Sequence, residues 1–317
     1  MMLAIEFPLF PARASTLAGS VDTLYFVLLG ITAFFSTLIF LCIAYFAIKF
    51  RRRSEEEQPA EIHGSLKLEI VWTAIPLVIV IGLFVGGVRI YYAGARPPAN
   101  SMPIYVVGKQ WMWKVQHPEG KSEIDELHVP LGVPVKLLMT SEDVIHDFSI
   151  PAFRIKRDVL PGRYTTEWFQ ATKTGEFHLF CAQYCGTNHS AMVGRVVVMD
   201  PADFQAWLGA VPRSPSMAEN GGRLFAKLNC GTCHADSRKA PSLAGAFGSP
   251  VPLAGGGSAY ADEAYLRESI LAPRTRMVAG YPPTMPAYQG QLNESQVLEL
   301  IAYLKSLPPG SGKGGGR

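Results

Sequence analysis

Cys181-Ala-Gln-Tyr-Cys185-Gly-Thr-Asn-His189-Ser-Ala-Met192 brings two thiols, an imidazole and a thioether into one short stretch. That is a soft ligand set, which selects copper over hard cations. Farther along stands Cys230-Gly-Thr-Cys233-His234, the Cys-x-x-Cys-His sequence to which a c-type haem is attached. The two strings hold all but one of the 5 cysteines, so no pair is left for a structural disulfide. The remaining one, Cys42, lies in an apolar run and is expected to pack there. Both groupings are used by electron carriers.

A chain of 317 residues has room for two or three domains, each with its own core. The net charge of +3 is small, and no basic run is interleaved with aromatics, which argues against a nucleic-acid partner. Two apolar stretches, at about 24–48 and 70–92, are each long enough to cross a bilayer as a helix. A cleaved signal peptide is the rival reading of the first. Its apolar run is too long, however, and its basic cluster follows the run instead of preceding it. Lys49, Arg51, Arg52, Arg53 and Lys67 fall between the stretches and only Arg13 precedes them, so the positive-inside rule puts the connecting loop in the cytoplasm. Both termini then face the periplasm or its equivalent, the compartment in which haem is joined to Cys-x-x-Cys-His. Residues 1–20 form a short extracytoplasmic segment and 21–95 a transmembrane hairpin in the lipid membrane of a bacterial cell.

From residue 96 to 208, Val, Thr, Tyr and Phe alternate with polar residues between turns at Pro130, Gly132, Pro161, Gly162 and Gly175, the pattern of a β-sandwich. Residues 209–217, rich in small residues and carrying Pro212 and Pro215, read as a semi-stiff linker. Residues 218–309 read as helical: Asn293 caps a helix with Gln296 placed for a capping box, and Val297, Leu300, Ile301 and Leu304 recur at helical spacing. Residues 310–317 lack apolar content and are expected to be disordered.

Two thiolates can each bridge two metal ions. Structural zinc is the alternative for cysteines with a histidine, but the thioether of Met192 points to copper. The string Cys-x-x-x-Cys-Gly-x-x-His-x-x-Met, preceded by His146-Asp-Phe, resembles the CuA loop of cytochrome c oxidase subunit II. Further likeness lies in Glu69-Ile-Val-Trp-Thr-Ala-Ile-Pro76, Gly108-Lys-Gln-Trp-Met-Trp113 and Ile155-Lys-Arg-Asp-Val-Leu-Pro-Gly162. The resemblance covers about residues 20–208 and implies two transmembrane helices followed by a cupredoxin-like Greek-key β-sandwich with a dinuclear copper centre. It makes Cys181 and Cys185 the bridging thiolates, His146 and His189 the terminal imidazoles, Met192 the axial ligand and Gln183 a ligand through its backbone carbonyl. Many relatives carry glutamate where Gln183 stands, and that side chain reaches a magnesium ion shared with subunit I, so the magnesium contact is in question here. By the same resemblance Trp111 is where electrons come in, Glu69 is the mouth of a proton path into subunit I, and Asp158 is a supporting or interface residue. Trp111 and Trp113 also read as ordinary interfacial or core aromatics, and Glu69 as a first-turn acid favoured by the helix dipole. His63, His117, His128 and His178 have no motif around them and read as surface or core residues.

The second string resembles a class I, all-α cytochrome c domain. Cys230 and Cys233 would carry one covalent haem c, His234 would be its proximal ligand, and Pro241 would orient that imidazole. Tyr281-Pro-Pro-Thr-Met285-Pro-Ala-Tyr288 resembles the Met-Pro loop of that family, which favours Met285 over Met277 as the second axial ligand. Subunit II with a carboxy-terminal cytochrome c is the arrangement of caa-type haem–copper oxidases. The implied partners are subunit I, subunit III, and external cytochrome c or another membrane donor complex. A copper-bearing small subunit of a nitric oxide reductase and a membrane-tethered electron shuttle are the rival readings. The proline-containing linker suggests a hinge of limited reach that swings the haem domain against the copper domain near Trp111.

Overall fold

The computed structural model describes residues 10–58, 61, 64–210 and 215–308. It divides into two units, Thr16–Arg96 and the combination of Met1–Ser15 with Pro97–Arg317. In the first, α1 (Ala18–Lys49) and α2 (Leu66–Ala95) contain 32 and 30 residues. At 1.5 Å per residue each is roughly 45 Å long, more than the thickness of the hydrocarbon layer. They are apolar on all sides, with Phe34, Leu41, Val78 and Phe84 exposed, as befits helices whose solvent is lipid. Gly19, Ser20 and Thr23 share a cleft with Gly82 and Gly86, and such small residues let membrane helices approach closely. Both helices run past the apolar stretches seen in the sequence, taking in Asp22 at one end and Lys67 and Glu69 at the other. Residues 1–9, the first part of the segment expected ahead of the hairpin, lie outside the described residues, as do His63 and the tail at 310–317.

The β-rich part of the second unit comprises β1 (Met102–Lys109), β2 (Met112–Gln116), β3 (Ser122–Ile124), β4 (Glu126–Pro130), β5 (Pro134–Ser141), β6 (His146–Ile150), β7 (Ile155–Val159), β8 (Thr165–Gln170), β9 (Gly175–Cys181) and β10 (Val193–Met199). They form two five-stranded sheets, ordered β3-β2-β1-β5-β8 and β4-β10-β9-β6-β7. β1 runs parallel to β5 and β10 to β4, while the other pairs are antiparallel. This is a cupredoxin-like sandwich. Strand alternation sends Ile104, Val106, Leu137, Phe148, Leu179 and Val196 into the layer between the sheets, where all are fully buried.

α3 (Pro201–Gly209) closes the sandwich. The helical part follows with α4 (Met217–Lys227), α5 (Gly231–His234), α6 (Glu263–Leu271) and α7 (Glu294–Ser306). Ser216 and Glu219 form a capping box on α4, and Asn293 and Gln296 form the expected one on α7. α4 crosses α7 at Gly221, where a Cβ would lie 1.9 Å from the Glu299 carbonyl oxygen, so only glycine allows that approach. A two-stranded ribbon, β11 (Pro250–Pro252) with β12 (Ser258–Tyr260), is added to these helices. Its run of glycines at residues 255–257 hid the pairing from sequence reading.

The helical part sits on the outer face of the first sheet. Tyr105, Val107 and Leu138 point away from the sandwich core and are buried against Met217 and Leu298, with Tyr164 and Ala302 at the margin. Arg267 donates to the Gly162 carbonyl at 2.6 Å, and the Met217 N–H donates to the Pro118 carbonyl at 3.1 Å. Ahead of the linker, Lys121 Nζ donates to the Trp207 carbonyl at 2.6 Å. Residues 211–214, including Pro212, lie outside the described residues, but both flanks are held on the turn between β2 and β3. This differs from the expected swing against Trp111. The contacts fall on the apolar outer face of β1 and β5, which would otherwise be left in water.

Candidate functional site

The loop 182–192 joins the neighbouring antiparallel strands β9 and β10, so it must return on itself. The Cys181 N–H donates to the Met192 carbonyl at 3.1 Å, and the Ala182 N–H donates to the Asp147 carbonyl at 3.0 Å, tying the loop to β6. Because Phe148 on β6 is in register with Cys181, His146 at the start of β6 reaches the same place. Cys181 Sγ lies 3.7 Å from Cys185 Sγ, 3.2 Å from the Gln183 carbonyl oxygen and 4.0 Å from His146 Nδ1. Cys185 Sγ lies 3.5 Å from His189 Nδ1 and 3.8 Å from Met192 Sδ. His146, Cys181, Cys185 and Met192 are all buried. The structure therefore brings together every residue expected at the copper centre, although His146 is remote in sequence.

Two thiols, two imidazoles, a thioether and a carbonyl are more donors than one tetrahedral zinc ion takes. The softness of the set fits copper, and the paired sulfurs suit bridging. Burial raises both thiols, but hydrogen bonding to His146 and to backbone groups brings Cys181 down to about 6. Cys185, buried beside that sulfur, is pushed up to about 12. One thiol of the pair is thus poised as thiolate, the ligating form.

A residue that the sequence reading missed completes the site. Asp143 Oδ1 sits 2.9 Å from His146 Nε2, which turns Nδ1 toward the sulfurs and fixes the tautomer. Asp143 Oδ2 accepts from the Gln110 N–H at 2.8 Å. Burial opposes its ionisation, but these donors hold it below the ordinary carboxylate range. An acid three residues ahead of a ligating histidine was the available signal. Gln110 Nε2 donates to the Cys185 carbonyl at 2.8 Å, and the Trp111 indole lies against Gly186, where a Cβ would be 3.2 Å from its Cζ2. Trp111 is therefore in contact with the ligand loop. Gly108 has a similar role, since a Cβ there would lie 3.0 Å from His146 Cδ2. Asp158 pairs in register with Asp147, whose buried carboxyl is pushed up to about 6 by burial and by Asp158 against the pull of Lys156.

In the helical part, α5 carries Cys230, Cys233 and His234 to the wall of a cavity of about 630 Å³, which Pro241, Met277 and Met285 also line. His234 Nδ1 is 2.9 Å from the Pro241 carbonyl oxygen, which fixes the imidazole by one nitrogen and leaves the other for iron. Tyr265 lines the cavity too, and its buried hydroxyl has no hydrogen-bond partner among the described residues, as expected where a polar edge of a prosthetic group belongs. A largely apolar cavity with two thiols and an oriented imidazole fits a covalent haem. Met277 and Met285 both reach it. Glu69 lies in the first turn of α2, in the other unit.

Three family models match the chain. They are "Cytochrome C oxidase subunit II, transmembrane domain" over residues 4–89, "Cytochrome C oxidase subunit II, periplasmic domain" over 121–199 and "Cytochrome c" over 218–308. Among similar proteins, the "Cytochrome c oxidase subunit 2" of Thermostichus vulcanus is 31% identical over 67% of this chain and 83% of its own length. The protein of the same description from Alkalihalophilus pseudofirmus is 28% identical over 87% of this chain and 84% of its own. The crystal structure of the periplasmic domain of subunit II of cytochrome oxidase from Bradyrhizobium japonicum is 30% identical, covering 36% of this chain and 96% of that one, with a TM-score of 0.35.

Proposed function

Because the chain belongs to the cytochrome c oxidase subunit II family and carries a fused cytochrome c domain, we propose that it is the electron-transfer subunit of a caa-type oxidase, passing electrons from haem c to a dinuclear copper centre and on to subunit I. It is an oxidoreductase subunit with two membrane-crossing helices, and copper and haem are the groups its family implies. The reading rests above all on the convergence of Cys181, Cys185, His146, His189, Met192 and the Gln183 carbonyl in one cluster.

The two groups supply one-electron chemistry when bound. The chain's own residues hold and shield them. Asp143 and Pro241 each fix one imidazole nitrogen, which sets ring orientation before metal arrives. The sulfurs of Cys181, Cys185 and Met192 are buried beneath the loop, which keeps water from them. Cys230 and Cys233 would hold one haem covalently and His234 and Met285 would ligate its iron, a donor pair that would raise the haem potential. Trp111 would pass electrons to the copper loop it touches, and Glu69 would open the proton path into subunit I. With Gln183 in place of a carboxylate, this chain would not offer the magnesium ligand. Lys49 and Arg51 to Arg53 would keep the α1–α2 loop in the cytoplasm, leaving both redox domains outside. Subunit III and an external cytochrome c or membrane donor complex would complete the assembly.

Metal analysis and electron paramagnetic resonance test the copper reading. The intact protein should bind two coppers in a delocalised mixed-valence state. Cys185→Ser should destroy that state, while Met192→Leu should keep both coppers and shift the potential. Trp111→Ala should slow electron delivery at unchanged copper content. A single copper with an ordinary four-line spectrum in the intact protein would refute the bridged centre.

A further inference from the structure

Outside the copper loop and the haem cavity, a second group of metal-binding side chains gathers where the edges of the two sheets meet. His117 follows β2, and Glu123 lies on β3, the edge strand of one sheet. Glu126 and His128 lie on β4, the edge strand of the other, and as residues i and i+2 they point to the same side. His117 Nε2 is 2.8 Å from Glu123 Oε1, and His128 Nδ1 contacts the other oxygen of the same carboxylate. The ligand atoms of Glu123, Glu126 and His128 all lie within 4.8 Å of one another. The His117, Glu123 and His128 side chains are 1%, 6% and 13% exposed, and Glu126 forms the open side at 36%.

We propose that Glu123, Glu126 and His128 form a site for a divalent ion of borderline softness, zinc above all, separate from the copper centre, with His117 holding Glu123 from behind. One imidazole nitrogen and two carboxylate oxygens are zinc donors, and three protein ligands with a fourth position open to water suit its tetrahedral preference. The absence of sulfur from these residues disfavours Cu(I), and the imidazole disfavours calcium and magnesium, which prefer oxygen. The surroundings fit as well. Trp207 stacks on His128 at 4.4 Å and meets the edge of His117 at 5.3 Å, a wall that limits water and fixes both rings. Lys121, one of the nearby cations, is turned to the Trp207 carbonyl and ring. Arg195 is shared between Glu126 and Glu176 at 2.5 and 3.5 Å, so releasing Glu126 to an ion leaves Arg195 with a partner and gives up only a half-exposed pair of small worth. An ion here would pin β3 to β4 and hold the foot of α3, from which the linker departs.

The test uses the full chain in detergent, loaded with copper and haem and then dialysed against zinc. The proposal expects one zinc per chain beyond the copper, a rise in melting temperature with zinc concentration and an unchanged copper resonance spectrum. His128→Gln and Glu126→Gln should each weaken zinc binding at least tenfold, while His178→Gln should leave it unchanged. Glu126 is the outermost ligand, so its variant decides the matter even where His128→Gln fails to fold. No zinc beyond the copper, or zinc binding unchanged in Glu126→Gln and His128→Gln, would overturn the proposal and leave a hydrogen-bonded His–Glu–His cluster. Failure of the copper reading would show separately, in the copper count and spectrum before zinc is added.

Discussion

Leu298→Ala should loosen the helical domain from the sandwich without unfolding either. Leu298 is fully buried, yet it lies outside the core of its own domain; it packs with Met217 against Tyr105, Val107 and Leu138. Ala302, one turn on, lies on the same face of α7, whereas Val297, Leu300, Ile301 and Leu304 face the domain core. Truncation removes three carbons from a closed contact. At about 0.8 kcal/mol per buried carbon, plus a cavity contribution, the loss is about 3 kcal/mol. Such a loss lowers the ratio of seated to released domain by more than about 100-fold. Hydrogen exchange at the Met217 amide reads the ratio directly, because that N–H donates across the contact to the Pro118 carbonyl. Its exchange should accelerate by a like factor while amides inside α7 keep their protection. If Met217 exchange is unchanged in Leu298→Ala, the seat described here does not hold the domain. If α7 loses protection in parallel, Leu298 belongs to the domain's own core.

For the haem, Met285→Leu should abolish the sulfur–iron charge-transfer absorption and leave the porphyrin attached, since Cys230 and Cys233 would hold it independently. Met277→Leu should leave the band intact, and reversed outcomes would exchange the two assignments. Acid should reveal Glu123: burial raises its carboxyl, but His117 and His128 overcome this and hold it at about 2. A carboxyl lower in the folded than in the unfolded chain contributes stability above its unfolded value, near 4.3, and loses it as pH falls toward 2. The contribution is about 3 kcal/mol. Urea titrations between pH 6 and 2 in metal-chelating buffer should show this slope in the native chain and a shallower one in Glu123→Gln; equal slopes would refute the assignment.

The candidate copper ligands were legible because most of them lie in one loop, so spacing carried the geometry. His146 was reached by family likeness, and only strand register explains why it arrives at Cys181. Asp143 was not legible, since an acid in a polar loop is ordinary until its oxygen is found against an imidazole. The capping box at Asn293 and Gln296 was visible because caps are local chemistry. The β11–β12 ribbon and the close approach at Gly221 depend on partners distant in the chain. His117 and His128 were read as unremarkable for the same reason: each acquires its carboxylate only when the two sheet edges meet. The seat of the helical domain was misjudged because β1 looks like a strand buried on both faces, and sequence does not say what covers the second face.

That second face makes the haem domain more than a passenger on a tether. A chain ended after Gly209 would leave Tyr105, Val107 and Leu138 as an apolar patch in water, and such patches invite aggregation. The copper domain of this protein therefore cannot be reduced to its simpler form by deletion alone; the outward positions of β1 and β5 would have to become polar at the same time. Gain or loss of the haem domain in a lineage should accordingly leave its mark on the outward positions of β1 and β5, at residues that bind no metal.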